Sequence, residues 1–137
     1  MSDFPLPNTL YEHFVSYGET DTMGFLYNGE YLHLFERARS KFMRDRNMSY
    51  ADVEAKGLLL PVREAYVRYR SPAKYDDKIL VRARVSEWGR ASIRFEYEIR
   101  AAEDNRLIAT GYTHHPCVKR DMKPVPVPEW LKECCSE

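Results

Sequence analysis

The 137-residue sequence has little cysteine, little glycine and no excess of charge of either sign, and each shortage removes a class of protein. Cys117, Cys134 and Cys135 are odd in number and two of them are adjacent, which argues against a disulfide framework and for a reducing compartment. Adjacent cysteines lack the usual chelating spacing. His114 and His115 fall in an alternating segment whose successive side chains point to opposite faces, so no metal site is expected. Lys plus Arg equals Asp plus Glu at 21 each, and this balance calls for neither nucleic acid nor an anionic membrane as partner. No apolar run approaches the length of a membrane span. The opening residues MSDFPLPNTLYEHF lack the basic start and apolar block of a secretory signal, so a cytoplasmic location is expected. The G-x-S-x-G, H-E-x-x-H and Walker patterns are all missing.

What is present reads as one domain over residues 1–137, large enough for a real core. Tyr31, Leu34, Phe35, Ala38 and Phe42 recur at three- and four-residue spacing, which predicts one long amphipathic helix from near Asn28 to about Asn47. Its basic residues Arg37, Arg39, Lys41, Arg44 and Arg46 read mostly as a solvated face that complements the helix dipole. Asn28 is of a good N-cap type. Ser49–Lys56 reads as a second short helical turn stopped by Gly57.

Around these the period is two. Strands are expected over Thr9–Tyr17, Leu60–Arg70, Ile79–Val85, Ala91–Ala101 and Leu107–Val118, each with one buried and one wet face. Ile93, Phe95, Tyr97 and Ile99 against Arg94, Glu96, Glu98 and Arg100 give the cleanest alternation. The short connections Lys74–Asp77, Trp88–Arg90 and Glu103–Asn105 carry turn residues and favour antiparallel neighbours. Pro124, Pro126 and Pro128 end the sheet, and Glu129–Glu133 can form a last helical turn. The expected class is α+β, with the long helix lying across the buried face of the sheet.

Asp21-Thr22-Met23-Gly24 sits just before the long helix. There a carboxylate stands on a tight turn beside a helix N-terminus, whose unpaired N–H groups favour developing negative charge. Taken alone, such an aspartate is more often a turn or cap residue than a catalyst, and Glu19 is a competing carboxylate.

The surrounding residues resemble a known family. An aromatic strand end at Tyr17, D-x-x-G at Asp21–Gly24, Tyr27 and the helix F-E-R-A-R are similar to the hotdog-fold acyl-CoA thioesterases of the 4-hydroxybenzoyl-CoA type, YbgC-like branch. The similarity continues through Val67–Asp77, Phe95–Arg100 and Ala109–Thr113 and covers roughly residues 9–130. It implies a hotdog fold, an acyl-CoA substrate with an aromatic or short-chain acyl group, and no cofactor. It also implies a homodimer, commonly paired into a homotetramer, with sites where subunits meet. Asp21 would act as nucleophile or general base, and the backbone N–H near Asn28 as oxyanion donor. Tyr17 would orient Asp21, Gly24 and Tyr27 would shape the substrate site, and Arg90 would meet the coenzyme phosphates across the interface. Many YbgC-like members carry histidine where this sequence has Asn28, which cannot exchange a proton at neutral pH. The pantetheine arm of an acyl carrier protein is an alternative leaving group.

Two competing readings keep the fold and change the chemistry. A hotdog dehydratase would need an acid/base pair such as His33 and Glu36, although His33 reads better as a helix-surface residue. A non-catalytic acyl-CoA-binding module would bind without turnover.

Overall fold

The computed structural model describes residues 3–136. Five strands build one antiparallel sheet in the order β1-β3-β4-β5-β2, with β1 Thr9–Phe14, β2 Glu64–Tyr69, β3 Lys78–Trp88, β4 Ser92–Ala101 and β5 Leu107–Pro116. Among the described residues three α-helices accompany it: α1 Tyr31–Asp45, α2 Tyr50–Ala55 and α3 Glu129–Cys135. None of the helices described is long and apolar enough to cross a membrane.

The turns at Trp88–Arg90 and Glu103–Asn105 make antiparallel neighbours as expected, with Trp88 opposite Ile93 and Ile99 opposite Ala109, whereas Lys74–Asp77 does not: β2 pairs with β5 and β3 with β1 and β4, so the connection between them crosses the sheet. The chain then departs from its expected boundaries in small ways. The first strand stops at Phe14, and Tyr17–Glu19 is a single 3₁₀ turn. Asn28–Glu30 is also a 3₁₀ turn, after which Glu30 occupies the cap position of α1; Asn28 therefore does not cap the helix with its side chain. Ser49 does cap α2: its hydroxyl accepts from the Asp52 N–H while the Asp52 carboxylate accepts from the Ser49 N–H.

The α1 stripe lies on the sheet as its spacing requires. Leu34, Phe35, Ala38 and Phe42 are buried against Val81, Phe95, Tyr97 and Ile99. Phe35 stacks flat on Tyr97 with ring centroids 4.3 Å apart, and Phe42 meets Phe95 edge-on at 5.6 Å. Gly111 lets the helix come this close, because a Cβ there would stand 2.5 Å from the Phe35 ring and 2.3 Å from the Tyr66 carbonyl oxygen.

Arg39 is a correction to the solvated basic face, being only 7% exposed. Its position directly after Ala38 turns it onto the buried stripe. A guanidinium there needs a partner, and its Nη1 donates to the Tyr97 hydroxyl at 3.1 Å. From that bond the polarity of a buried chain follows. His115 Nδ1 lies 3.0 Å from the Leu60 carbonyl, which can only accept, so Nδ1 carries the proton. Nε2 then accepts from the Thr113 hydroxyl at 2.7 Å, Thr113 accepts from Tyr97, and Tyr97 accepts from Arg39. A second proton on His115 would set two donors against each other.

β2 is the second correction. Paired only with β5, it exposes Ala65, Tyr66 and Tyr69, and Val67 is half-buried, so it lacks the single buried face its alternation predicts. It is an edge strand that α1 covers little, with an unpaired ladder side of its own.

Burial of His115, with the Arg39 charge as a smaller cause, pushes its pKa from 6.5 down to about 4. Below pH 6.5 the unfolded chain binds a proton that the folded chain refuses, so stability falls as the medium is acidified towards pH 4. The expected loss is about 3 kcal/mol at most. Urea midpoints measured from pH 7.5 to 5 should fall in the wild type and fall distinctly less in His115→Gln, whose amide can still accept from Thr113 and donate to Leu60. Equal slopes would contradict the assignment of a neutral, buried imidazole.

Candidate active site

Residues 20–26 form a tight loop zipped to itself and to the sheet. Thr20 bridges Leu26, the Asp21 N–H donates to the Phe25 carbonyl at 2.8 Å, and the Gly24 N–H donates to the Asp21 carbonyl at 2.9 Å. Gly24 closes the loop at φ +82°, a left-handed conformation that any Cβ would strain. The Leu26 N–H donates to the Ala73 carbonyl, and Phe25 bridges Lys74, so the loop is fastened to the segment that leads from β2 into β3.

Within that loop the Asp21 carboxylate is half-tethered. Oδ1 accepts from the backbone N–H groups of Met23 at 2.9 Å and Phe25 at 3.2 Å, whereas Oδ2 takes no hydrogen bond from the described residues. One oxygen is thus fixed by the loop backbone and the other is not. The competing carboxylate is occupied elsewhere. Glu19 Oε1 accepts from the Ser16 N–H and from His13 Nε2, both at 2.8 Å, and its other oxygen lies 3.6 Å from Arg37. Burial raises its pKa, but these hydrogen bonds outweigh burial and the net shift is downward. Glu19 is therefore a fastener of the loop.

The cleft holds roughly 540 Å³ and is bounded by Asp21, Met23, Phe25, Tyr27, Asn28, Tyr31, Tyr69 and the Arg70–Pro72 segment. The backbone N–H groups of Asn28 and Gly29 make no hydrogen bond among the described residues, so two donors stand free at the start of α1. Tyr69, at the end of β2, donates its hydroxyl to the Asn28 carbonyl at 3.0 Å and packs edge-on against Tyr31 at 4.9 Å. Tyr31 is buried, and burial first, then the nearby Tyr69 and Asp21, push its pKa up to about 12, so its hydroxyl stays protonated.

The residues singled out from the sequence divide on this geometry. Asp21, Tyr27 and Asn28 share the cleft. Gly24 shapes the loop without lining it. Tyr17 is 78% exposed, meets Tyr75 edge-on at 5.8 Å and makes no hydrogen bond to Asp21 among the described residues, so it does not orient Asp21 in this arrangement. Arg90 is exposed in the turn at the far end of β3, on the order of 30 Å along the strand from the Asp21 end. His33 is exposed on α1, 3.5 Å from Glu30. His114–Cys117 gives no chelate: both ring nitrogens of His115 are already bonded, and no group of three or more His, Cys, Asp or Glu among the described residues could hold a metal.

Sequence reasoning passed over Tyr69, Tyr31 and the Ser71–Pro72 wall. Tyr31 read as core and Tyr69 as one tooth of a strand. Only the pairing of Tyr69 with Ala109, together with the bridge from Phe25 to Lys74, brings β2 up to the Asp21 loop.

Similarity to known proteins is consistent along nearly the whole chain. An acyl-CoA thioesterase, YbgC, of Haemophilus influenzae is 34% identical over 120 residues, 86% of this chain and 87% of that protein. A 1,4-dihydroxy-2-naphthoyl-CoA hydrolase of Synechocystis is 28% identical over 130 residues, 92% of this chain and 94% of its own. The crystal structure of a DHNA-CoA thioesterase from Staphylococcus aureus superposes with a TM-score of 0.83 at 34% identity, covering 91% of this chain and 87% of that one. The sheet wrapped on α1 is the hotdog arrangement, the thioesterase-like superfamily model matches residues 15–134, and the chain belongs to that superfamily of enzymes.

Proposed function

We propose that this protein hydrolyses acyl-CoA thioesters, with Asp21 delivering the attacking oxygen and the free N–H groups of Asn28 and Gly29 receiving the oxyanion. The position of the carboxylate carries the reading: Oδ1 is held by the Met23 and Phe25 N–H groups while Asp21 lines the same cleft as Asn28, at the start of α1 where backbone donors stand free. Hydrolysis forms a C–O bond at the acyl carbon and breaks its C–S bond, and the thiolate leaves and takes up a proton. Asp21 serves this by attacking the carbonyl or by drawing a proton from water. Asn28 contributes its backbone; its side chain cannot shuttle a proton. The relatives' acyl-CoA names support coenzyme A as leaving group, with the pantetheine arm of a carrier protein presenting the same thioester.

Phe25, Tyr27, Tyr31 and Tyr69 around the cleft favour a flat aromatic acyl group over a flexible chain. The open edge of β2 favours a second copy adding its own β2, giving a homodimer and, by a second pairing, a homotetramer. In such an assembly Arg90 reaches coenzyme phosphates only across an interface, since its own cleft lies at the other end of the sheet. A dehydratase reading loses its acid/base pair with His33 out on the helix surface.

Thiol release from an aromatic acyl-CoA should fall at least about 100-fold in kcat/KM for Asp21→Asn, which keeps the loop's acceptor for Met23 and Phe25 but loses the charge. Undiminished release would exclude the mechanism, and binding without release by the wild type would favour the non-catalytic module. Tyr69→Phe frees the Asn28 carbonyl and should lower kcat about tenfold with KM and Tm nearly unchanged, as expected of a positioning residue. Sedimentation equilibrium should give a particle of at least twice 16.2 kDa. A monomer would leave Arg90 without a role.

A further inference from the structure

The C-terminal helix α3 brings together three sulfur atoms that the reaction does not use. Cys135 is buried, and its Sγ lies 3.8 Å from the Sγ of Cys134 and 3.8 Å from the Sδ of Met43, in the last turns of α1. Sequence spacing could not reveal this group, because the third donor comes from 92 residues away and is a thioether. All three cysteines are thiols.

The spacing has a chemical meaning. Metal–sulfur bonds of about 2.3 Å put neighbouring sulfurs of a trigonal or tetrahedral centre about 3.8–4.0 Å apart. Cys135 already stands at that separation from both other sulfurs. The donor set fixes the class of ion. Two thiols and a thioether without oxygen or imidazole are soft ligands, which select Cu(I) over harder divalent cations. No third His, Cys, Asp or Glu stands by among the described residues to complete a zinc site.

We propose that Cys134, Cys135 and Met43 form a binding site for one Cu(I) ion, which ties α3 to the end of α1. On binding, the two thiols release their protons to solvent, two copper–thiolate bonds form and the Met43 thioether supplies a third donor. No electron is transferred when the metal arrives as Cu(I). The site then carries one net negative charge, which the nearby Arg46 guanidinium offsets. Cys134 is half-buried, so the ion has a path from solvent.

The test uses the full-length, reduced protein under anaerobic conditions and Cu(I) presented as its coloured bicinchoninate complex. One equivalent should pass to the wild type and to Cys117→Ala. Transfer should weaken at least about 100-fold in Cys134→Ser and in Cys135→Ser. Met43→Leu, a volume-conserving change that the core tolerates, should weaken it about tenfold. In parallel, Cu(I) should raise the Tm of the wild type and of Cys117→Ala but leave that of both serine variants unmoved. The site is overturned by failure of transfer to the wild type, by transfer indifferent to Cys134→Ser and Cys135→Ser, by transfer unaffected in Met43→Leu, or by its loss in Cys117→Ala. None of these outcomes depends on the reaction at Asp21.

Discussion

The depth at which Phe35 rests on the sheet governs where the first turn of α1 ends. Its ring lies parallel to Tyr97, and the missing side chain at Gly111 allows the approach. Because an α-helix rises about 1.5 Å per residue, that one contact fixes Tyr31 and the free N–H groups just ahead of it to within a small tolerance. The Asp21 loop has a separate attachment, through Leu26 and Phe25 to Ala73 and Lys74. Carboxylate and donors are thus held by different parts of the chain that meet only because helix and sheet are packed at this distance. The proposed oxyanion site is a consequence of core packing as much as of the residues that line it.

The features legible in the sequence were those in which one periodicity suffices. The α1 stripe and the inward faces of β3 and β4 followed from spacing alone, since each residue's neighbour in space is set by its neighbour along the chain. Arg39 was not legible: its side chain is buried because Tyr97 and Thr113, from two other strands, offer it a polar path, and no local pattern announces that. Asp21 could be singled out as a residue, but not the division of labour between its oxygens, which depends on the backbone of Met23 and Phe25 turning back. Asn28 was placed at the right end of the helix, but it is not the cap. A 3₁₀ turn precedes α1, so Asn28 lines the cleft and its carbonyl accepts from Tyr69.

The interior is more polar than its composition suggests. Arg39, Tyr97, Thr113 and His115 run from α1 through β4 and β5 to the segment before β2, each donating onward. A chain with one direction of donation specifies register as well as stability, because sliding any strand by one residue would turn its member of the chain to the opposite face. β5 carries two members, and it is the strand on which the exposed β2 depends for all of its pairing. The polar chain therefore fixes the strand that positions Tyr69.

Asp21 is oriented almost wholly by main-chain amides of its own loop, with Gly24 the one position whose side chain, or lack of one, matters to the turn. Thr22 and Met23 keep their side chains outward and contribute none of them to holding the carboxylate. Mutation at either position can therefore remodel the rim of the cleft while leaving the Asp21 carboxylate, the proposed reactive group, where it is. On the proposed mechanism chemistry and selectivity are uncoupled within five consecutive residues, which gives a lineage built on this loop room to change what it accepts without relearning how to cut it.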